Sequence, residues 1–178
     1  MSIRLERDAG LVRITIDRRE RRNALTLDGF VELGAALTEI ARTPSDRAVL
    51  ITGAGGAFCA GADLSGGVSE ESTIGLMARI NEVARALHRL PQPCVAAVDG
   101  PAVGAGMSIA LGCDIVVASE AATFSQVFVK RGLSPDFGST WLLPRIVGVH
   151  TAKRLALLGD TVTAAQALQL GLVAEVTA

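Results

Sequence analysis

Apolar and polar residues alternate near the start of the chain and then give way to helical spacing. Val12, Ile14 and Ile16 are separated by polar residues, which is typical of a half-buried strand. In TLDGFVELGAALTEIAR (26–42) the apolar residues recur at helical spacing, and Thr26 stands where a helix N-cap is expected. The pattern predicts a strand followed by an amphipathic helix.

Three later segments each contain a continuous apolar run: RAVLITG (47–53), CVAAVDG (94–100) and CDIVVAS (113–119). Continuous apolar runs of this length are typical of strands that are covered on both faces by helices. Helical spacing returns in residues 72–90, before two prolines that would stop a helix. Strands that alternate with helices predict an α/β fold.

The remaining segments give shorter signals. PAVGAGMSIALG (101–112) predicts a loop that enters a helix of small residues, with its N-terminus near Gly104, and a further helix is predicted near residues 151–158. Thr163 and Gln166 have the spacing of a capping box for a short helix closed by Gly171. LVAEV (172–176) is a final strand candidate.

Composition and charge indicate a globular protein and give no reason to expect binding to nucleic acid or to an anionic membrane. The chain has 178 residues, 49% of them hydrophobic and 20% charged, and a formal net charge of −1. This composition suits one globular domain over residues 1–178, and the charge gives no field that would attract nucleic acid or an anionic membrane. Three cysteines without metal-ligand spacing, and no secretory or membrane-spanning segment, favour a cytoplasmic protein with reduced thiols and no metal site.

Two glycine-rich loops each follow an apolar strand: GAGGAFCAGADL (53–64), within a loop that extends to Gly67, and DGPAVGAGMS (99–108). The first lacks the Gly-Lys-Ser/Thr of a phosphate-binding loop and the third glycine of a dinucleotide fingerprint. Small residues let a substrate approach backbone N–H groups, so the pair could form an oxyanion hole. Two tight turns that only pack closely would give the same pattern.

The order of these loops resembles the enoyl-CoA hydratase/isomerase, or crotonase, family. The matching segments are RRNAL (21–25), ITGAGGAFCAGADL (51–64), AVDGPAVGAGMSIALGCDIVVAS (97–119), FSQVFVKRGLSPDFGSTWLLPRIVG (124–148) and ALQLGLVAEV (167–176). The resemblance implies a spiral of ββα units around two sheets. It also implies an acyl-CoA thioester substrate, with coenzyme A as part of the substrate and no separate cofactor.

The resemblance also assigns roles to residues. The two oxyanion-hole N–H groups would belong to Ala62 and Ala105. Ala60, Asp63 and Leu64 would line the path of the CoA and pantetheine arm. Arg22 and Ala24 would meet its nucleotide end, since arginine suits phosphate, although a solvated charged turn would also explain this stretch.

The chain departs from the family's hydratases at the two positions that carry their catalytic glutamates. By motif position these are Ser108 and Phe128, and neither side chain can act as a carboxylate base. A carboxylate does stand at Asp136, in a Gly/Pro turn where isomerases of the family often carry their acid/base. The stretch around it looks most like the isomerases of phenylacetate degradation. We therefore expect a single-base acyl-CoA isomerase whose apolar wall includes Phe128 and Phe137 and raises the pKa of Asp136.

Other interpretations stay open from the sequence. Asp136 could be an ordinary turn residue. Ser108 could be the nucleophile of a thioester or peptide hydrolase, although it lacks a nucleophile elbow. We expect it instead to be a small helix residue under the active site that contacts the substrate. The chain could also have hydratase-like activity, or bind acyl-CoA without catalysis. Family members continue into C-terminal helices that build trimers or hexamers, so we expect this sequence to form the core without that trimerisation segment.

Overall fold

The computed structural model describes residues 2–66 and 72–178, and this part contains two β-sheets and five α-helices. The strands are β1 (Ile3–Asp8), β2 (Leu11–Ile16), β3 (Ala48–Gly53), β4 (Cys94–Val98), β5 (Pro101–Val103), β6 (Ile115–Ser119), β7 (Thr123–Ser125), β8 (Thr161–Thr163) and β9 (Glu175–Thr177). The helices are α1 (Leu27–Arg42), α2 (Thr73–His88), α3 (Ala105–Gly112), α4 (Ser139–Leu158) and α5 (Ala164–Leu170). Short 3₁₀ helices lie at Arg19–Arg21, Leu64–Gly66 and Val127–Arg131.

The larger sheet has the strand order β1-β2-β3-β4-β6-β9, in which only the β1–β2 pair is antiparallel. The smaller sheet has the order β5-β7-β8. Parallel pairing between β3 and β4 places Thr52 opposite Ala97, so both strands end at the same edge of the sheet. The two glycine loops that follow these strands therefore start side by side.

Most predicted elements are present, and the α/β fold is confirmed. Thr26 caps α1 by accepting a hydrogen bond from the Gly29 N–H, and Thr163 and Gln166 form both bonds of the capping box at α5. Helix α2 ends at His88, shortly before the prolines. Strand β1 was missed because IRLERD is mostly charged, and only Ile3 in it is buried. Strands β5, β7 and β8 have three residues each, too few to give a periodic pattern.

Two boundaries near the C-terminus differ from the prediction. Helix α4 consists of two helical segments that meet at a kink at Gly148, where φ is 75° and ψ is 159°. The second segment contains the helix predicted near residues 151–158, whereas the first, which begins at Ser139, was not predicted as a helix. Pro144 and Gly148 lie inside it and masked the helical signal. Strand β9 overlaps only the end of the LVAEV candidate.

The loop predicted over residues 53–67 is described as far as residue 66, and Gly67 lies outside the described residues. Within residues 2–66 and 72–178, none of the helices combines the length and the apolar character needed to cross a bilayer. Helix α3 is the most enclosed helix: its first seven residues are all buried. The N-terminus of α3 meets the first glycine loop, and the candidate site is built there.

Candidate active site

The two glycine loops are hydrogen-bonded to each other. The N–H groups of Phe58 and Cys59 both donate to the Pro101 carbonyl at 3.1 Å, and the Val103 N–H donates back to the Cys59 carbonyl at 2.9 Å. These bonds accompany a parallel bridge between Cys59 and Ala102. The first loop therefore runs alongside β5, directly before the start of α3.

Two glycines allow this approach. A Cβ atom on Gly61 would lie 2.7 Å from the Val103 carbonyl oxygen and 3.5 Å from the Ala105 amide nitrogen, and the φ angle of Gly61 is +95°. A Cβ atom on Gly106 would overlap the Cys59 carbonyl. Larger residues at either position would push the loops apart. The structure thus brings the peptide before Ala62 next to the amide of Ala105.

The Ala62 N–H is the one backbone donor left unpaired between Phe58 and Asp63, counting partners among the described residues. The Ala60 N–H donates to the Arg22 carbonyl, and the Gly61 N–H to the Cys59 Sγ atom. On either side of Ala62, the Gly61 carbonyl accepts from the Leu25 N–H and the Asp63 N–H donates to the Leu25 carbonyl, both at 2.8 Å. In an extended segment, these bonds turn the Ala62 N–H away from Leu25 and leave it free for another acceptor.

The Ala105 N–H is the second free donor. Ala105 is the first residue of α3, so its amide has no partner within the helix. The preceding residue, Gly104, has φ +56° and donates its own N–H to the Ser125 carbonyl at 2.8 Å. Ala105 is only 1% exposed, and its N–H has no acceptor among residues 2–66 and 72–178. Buried N–H groups are rarely left unpaired, and the helix dipole adds partial positive charge here.

A short turn between β2 and α1 holds the first loop from the other side. Asn23 is fully buried with φ +61°, and its side-chain amide donates to the carbonyls of Ala54 and Ala57 at 2.8 and 2.6 Å. Its side-chain oxygen accepts from the Arg18 N–H at 2.8 Å. These contacts fix the turn against the loop. The sequence interpretation missed Asn23 and Arg18, although both lie in or beside the RRNAL motif.

The residues predicted to meet CoA lie around this turn. Arg22 is exposed in a left-handed conformation, and its side chain has no ion-pair partner within the described part of the chain. Ala24 and Ala60 are half-buried, and the Ala24 carbonyl accepts from the Arg18 guanidinium at 2.9 Å. Leu64 is 60% exposed. Arg22 and Leu64 are thus open to a ligand, whereas the Ala24 carbonyl is already bonded.

Asp136 lies in the turn before α4, between Pro135 and Phe137. The Ser139 N–H and Oγ groups donate to its backbone carbonyl at 3.0 and 2.9 Å, so Ser139 bonds the backbone of Asp136 and not its carboxylate. The Oδ1 atom is buried and has no hydrogen-bond partner among the described residues. Burial raises the pKa of Asp136 from 3.8 to about 6, and a bond from its own backbone N–H opposes this only in part.

Phe128 lies beside the α3 N-terminus. Its ring atoms would be 3.7–3.9 Å from a Cβ placed on Gly104, and its carbonyl accepts from the Leu133 N–H at 3.0 Å as the chain turns toward Asp136. Phe137 is buried with φ 51° and packs against Phe30, with 6.0 Å between the ring centroids. Both rings are interior, and the Phe137 ring points toward α1. Their place in an apolar wall of the substrate site stays a prediction.

Ser108 is fully buried one turn along α3, and its hydroxyl donates to the Gly104 carbonyl at 3.1 Å. A hydroxyl in this state is shielded from a substrate, which argues against Ser108 as a nucleophile. The part of the chain that the structure describes contains no cluster of three or more His, Cys, Asp or Glu side chains able to hold a metal ion. The unpaired amides of Ala62 and Ala105 and the Asp136 carboxylate are candidates to contact a reacting molecule.

A family model described as Enoyl-CoA hydratase/isomerase matches residues 6–178. A relative from Escherichia coli (strain K12), 1,2-epoxyphenylacetyl-CoA isomerase, is 39% identical over 175 residues, which are 95% of this chain and 67% of the relative. A short-chain-enoyl-CoA hydratase from Clostridium acetobutylicum is 40% identical over 178 residues, 97% of this chain and 67% of that protein.

A solved structure shows the same fold. The Thermobifida fusca protein crystallised in complex with acetoacetyl-CoA superposes with a TM-score of 0.89 at 36% identity, over 99% of this chain and 74% of that one. The two glycine loops, the start of α3 and the Asp136 turn therefore belong to a known architecture, the crotonase fold.

Proposed function

Because the chain belongs to the enoyl-CoA hydratase/isomerase family, we propose that it is an acyl-CoA isomerase that moves a double bond next to a thioester. The observation that carries the proposal is the half-buried Asp136 carboxylate, whose Oδ1 atom has no hydrogen-bond partner among the described residues and whose pKa is raised to about 6. A general base works best when its pKa lies near the operating pH. The acyl-CoA substrate is supported by the family and by the acetoacetyl-CoA complex of the Thermobifida fusca relative.

The reaction needs one base and one oxyanion hole. The Ala62 and Ala105 N–H groups would hold the thioester carbonyl oxygen and stabilise the enolate that forms when a proton leaves C2. Asp136 would take that proton from a 3-enoyl thioester and return it at C4, while the double bond moves from C3–C4 to C2–C3. The C2–H bond breaks, a C4–H bond forms, and Asp136 is regenerated as the carboxylate. Each oxyanion donor would lower the barrier by about 2.7–4 kcal/mol.

Hydration is the second candidate, and the Clostridium acetobutylicum relative named as a hydratase favours it. A hydratase of the two-glutamate type would need carboxylates at residues 108 and 128. Here these positions hold Ser108, whose hydroxyl is bonded to the Gly104 carbonyl, and Phe128, which is buried. Isomerisation by Asp136 requires neither position, so we prefer it. The assembly into trimers or hexamers stays a prediction.

The experiment mixes the protein with a 3-enoyl-CoA and follows the conjugated 2-enoyl-CoA by ultraviolet absorbance. The wild type should convert the substrate. In Asp136→Asn the rate of conversion should fall by at least about 100-fold, because the amide has the shape of the carboxylate but is a far weaker base. Asp160→Asn is the matched control and should convert the substrate as the wild type does, because Asp160 is exposed between α4 and β8, outside both glycine loops. Conversion that survives in Asp136→Asn would contradict the proposal.

A further inference from the structure

An ion pair joins the turn after β2 to the residue that follows the Ala62 donor. The Arg18 Nη1 atom lies 2.5 Å from the Asp63 Oδ2 atom and 2.9 Å from the Ala24 carbonyl oxygen. The Arg18 and Asp63 side chains are 22% and 9% exposed, so most of the pair is removed from water. One guanidinium thus connects two segments 45 residues apart in sequence.

Asp63 is held by bonds on its backbone N–H and on both carboxylate oxygens. Its N–H donates to the Leu25 carbonyl, and its Oδ1 atom accepts from the Ser65 N–H and hydroxyl at 2.9 and 2.6 Å. The Ser65 bonds, together with the Arg18 guanidinium, hold the pKa of Asp63 well below its usual range. The carboxylate is therefore charged and oriented at neutral pH.

These contacts determine the orientation of the peptide that carries the Ala62 donor. The Leu25 backbone bonds fix the segment on one edge, and the Arg18–Asp63 pair fixes it from the side chain of the next residue. Buried ion pairs are weak sources of net stability, because desolvation offsets their attraction. The planar guanidinium does, however, impose geometry on its partners. Orientation is thus a better explanation for this pair than stability.

We propose that Arg18 is a positioning residue for the oxyanion hole: through Asp63 and Ala24 it aims the Ala62 N–H at the thioester oxygen. The inference rests on the proposed function, because it takes Ala62 as an oxyanion donor. Arg18 acts through Asp63 and has no contact of its own with the reacting atoms. Arg22 differs from Arg18, because it is exposed and has no ion pair with Asp63 or with any other described residue.

The test measures how strongly the protein polarises a bound carbonyl. Hexanoyl-CoA labelled with ¹³C at the thioester carbon cannot isomerise, so the infrared C=O stretch of the bound ligand reports the hydrogen bonds directly. In the wild type the stretch should shift to lower frequency than in water. In Arg18→Gln the shift should shrink, and kcat for a 3-enoyl-CoA should fall about 10- to 100-fold with little change in KM.

Arg19→Gln is the matched control. Arg19 lies in the same turn and pairs with Asp17 at 3.0 Å on the surface. Glutamine removes this ion pair but keeps the Cβ, Cγ and Cδ atoms, which lie beside Gly55 in the first loop. Its carbonyl shift and kcat should equal those of the wild type. If Arg18→Gln does not fold, Arg18→Met/Asp63→Leu replaces the pair by apolar side chains, a change that proteins often tolerate, and it should show the same reduced shift.

The outcomes separate this inference from the proposed function. A wild-type shift that persists in full in Arg18→Gln, or in the double variant, overturns the role of Arg18 and leaves the oxyanion hole intact. A wild type that binds hexanoyl-CoA with no carbonyl shift overturns the oxyanion hole itself and this inference with it. A shift that shrinks in the Arg18 variants and not in Arg19→Gln supports the inference.

Discussion

Gly61 lies directly against the first residue of α3: a Cβ atom on Gly61 would be 3.5 Å from the amide nitrogen of Ala105. The same Cβ atom would be 2.7 Å from the Val103 carbonyl oxygen, closer than real Cβ atoms approach. The two free amide donors can therefore be neighbours only because residue 61 has no side chain.

Replacing this glycine should separate the donors. In Gly61→Ala the new methyl group would push the first loop away from β5, so we expect kcat/KM for isomerisation to fall by about 100-fold or more, the loss typical of one oxyanion donor. The measurement is steady-state kinetics on a 3-enoyl-CoA.

The matched control for that variant is Gly56→Ala. Gly56 also has a positive φ, +74°, but a Cβ atom there would meet nothing within 4 Å. Both variants carry backbone strain. If kcat/KM falls in Gly61→Ala but not in Gly56→Ala, the loss comes from the contact with α3 and not from the strain. Equal activity in the two variants would show that the closeness of the loops is irrelevant to catalysis.

The raised pKa of Asp136 predicts how activity depends on pH. The carboxylate must be ionised to accept a proton, so kcat/KM should be low in acid, rise through an apparent pKa of about 6 and level off above pH 7. A pH profile of the wild type tests this. A rise centred near the ordinary aspartate pKa, or a profile without any rise, would rule out a buried Asp136 as the base.

The same shift predicts a pH-dependent gain of stability in Asp136→Asn. The folded pKa of about 6 exceeds 3.8, so the folded state holds the Asp136 proton more tightly than the unfolded chain does. Burial of Asp136 then becomes more costly as pH rises from about 4 to 6, by at most about 3 kcal/mol, and the cost stays constant above that. Asn cannot ionise, so the variant does not lose this free energy of unfolding as the pH rises.

Urea unfolding at several pH values measures the difference. Asp136→Asn should gain in free energy of unfolding relative to the wild type at pH 8, and the gain should disappear near pH 4. A difference that is the same at both pH values would mean that the Asp136 carboxyl does not titrate abnormally in the folded protein.

Ser108 separates isomerisation from hydrolysis. Its hydroxyl is fully buried and bonded to the Gly104 carbonyl, so Ser108→Ala should lower isomerase activity by no more than a few-fold and stability by about 1 kcal/mol. The measurement is the 3-enoyl-CoA assay beside a free-thiol assay for thioester cleavage. Cleavage by the wild type that is lost in Ser108→Ala would restore the hydrolase interpretation.

The sequence predicted those parts of the fold that leave a local pattern. Alternation identified β2, helical spacing identified α1, and the Thr163–Gln166 spacing identified the cap of α5. The helical segment before Gly148 could not be predicted in this way, because Pro144 is read locally as a helix breaker although the chain is helical there. At Gly148 the backbone is not helical, so the glycine does interrupt the helix.

The candidate site likewise has features that the local sequence indicates and features that depend on tertiary contacts. Small residues in the two loops indicated close approach, and the unpaired amides of Ala62 and Ala105 agree with it. The Arg18–Asp63 pair could not be predicted from the sequence, because a contact between residues 45 positions apart depends on how β2 and β3 align. The direction of the Phe137 ring, toward Phe30, is likewise set by tertiary packing.

The measurement that tests the central claim most directly is product analysis by proton NMR of the wild type with a 3-enoyl-CoA in D₂O. Our account predicts a 2-enoyl-CoA as the first product, with its formation abolished in Asp136→Asn. In a parallel sample the wild type is given a 2-enoyl-CoA. If a 3-hydroxyacyl-CoA forms there at least as fast as the 3-enoyl-CoA is isomerised, the account is contradicted and the protein is a hydratase.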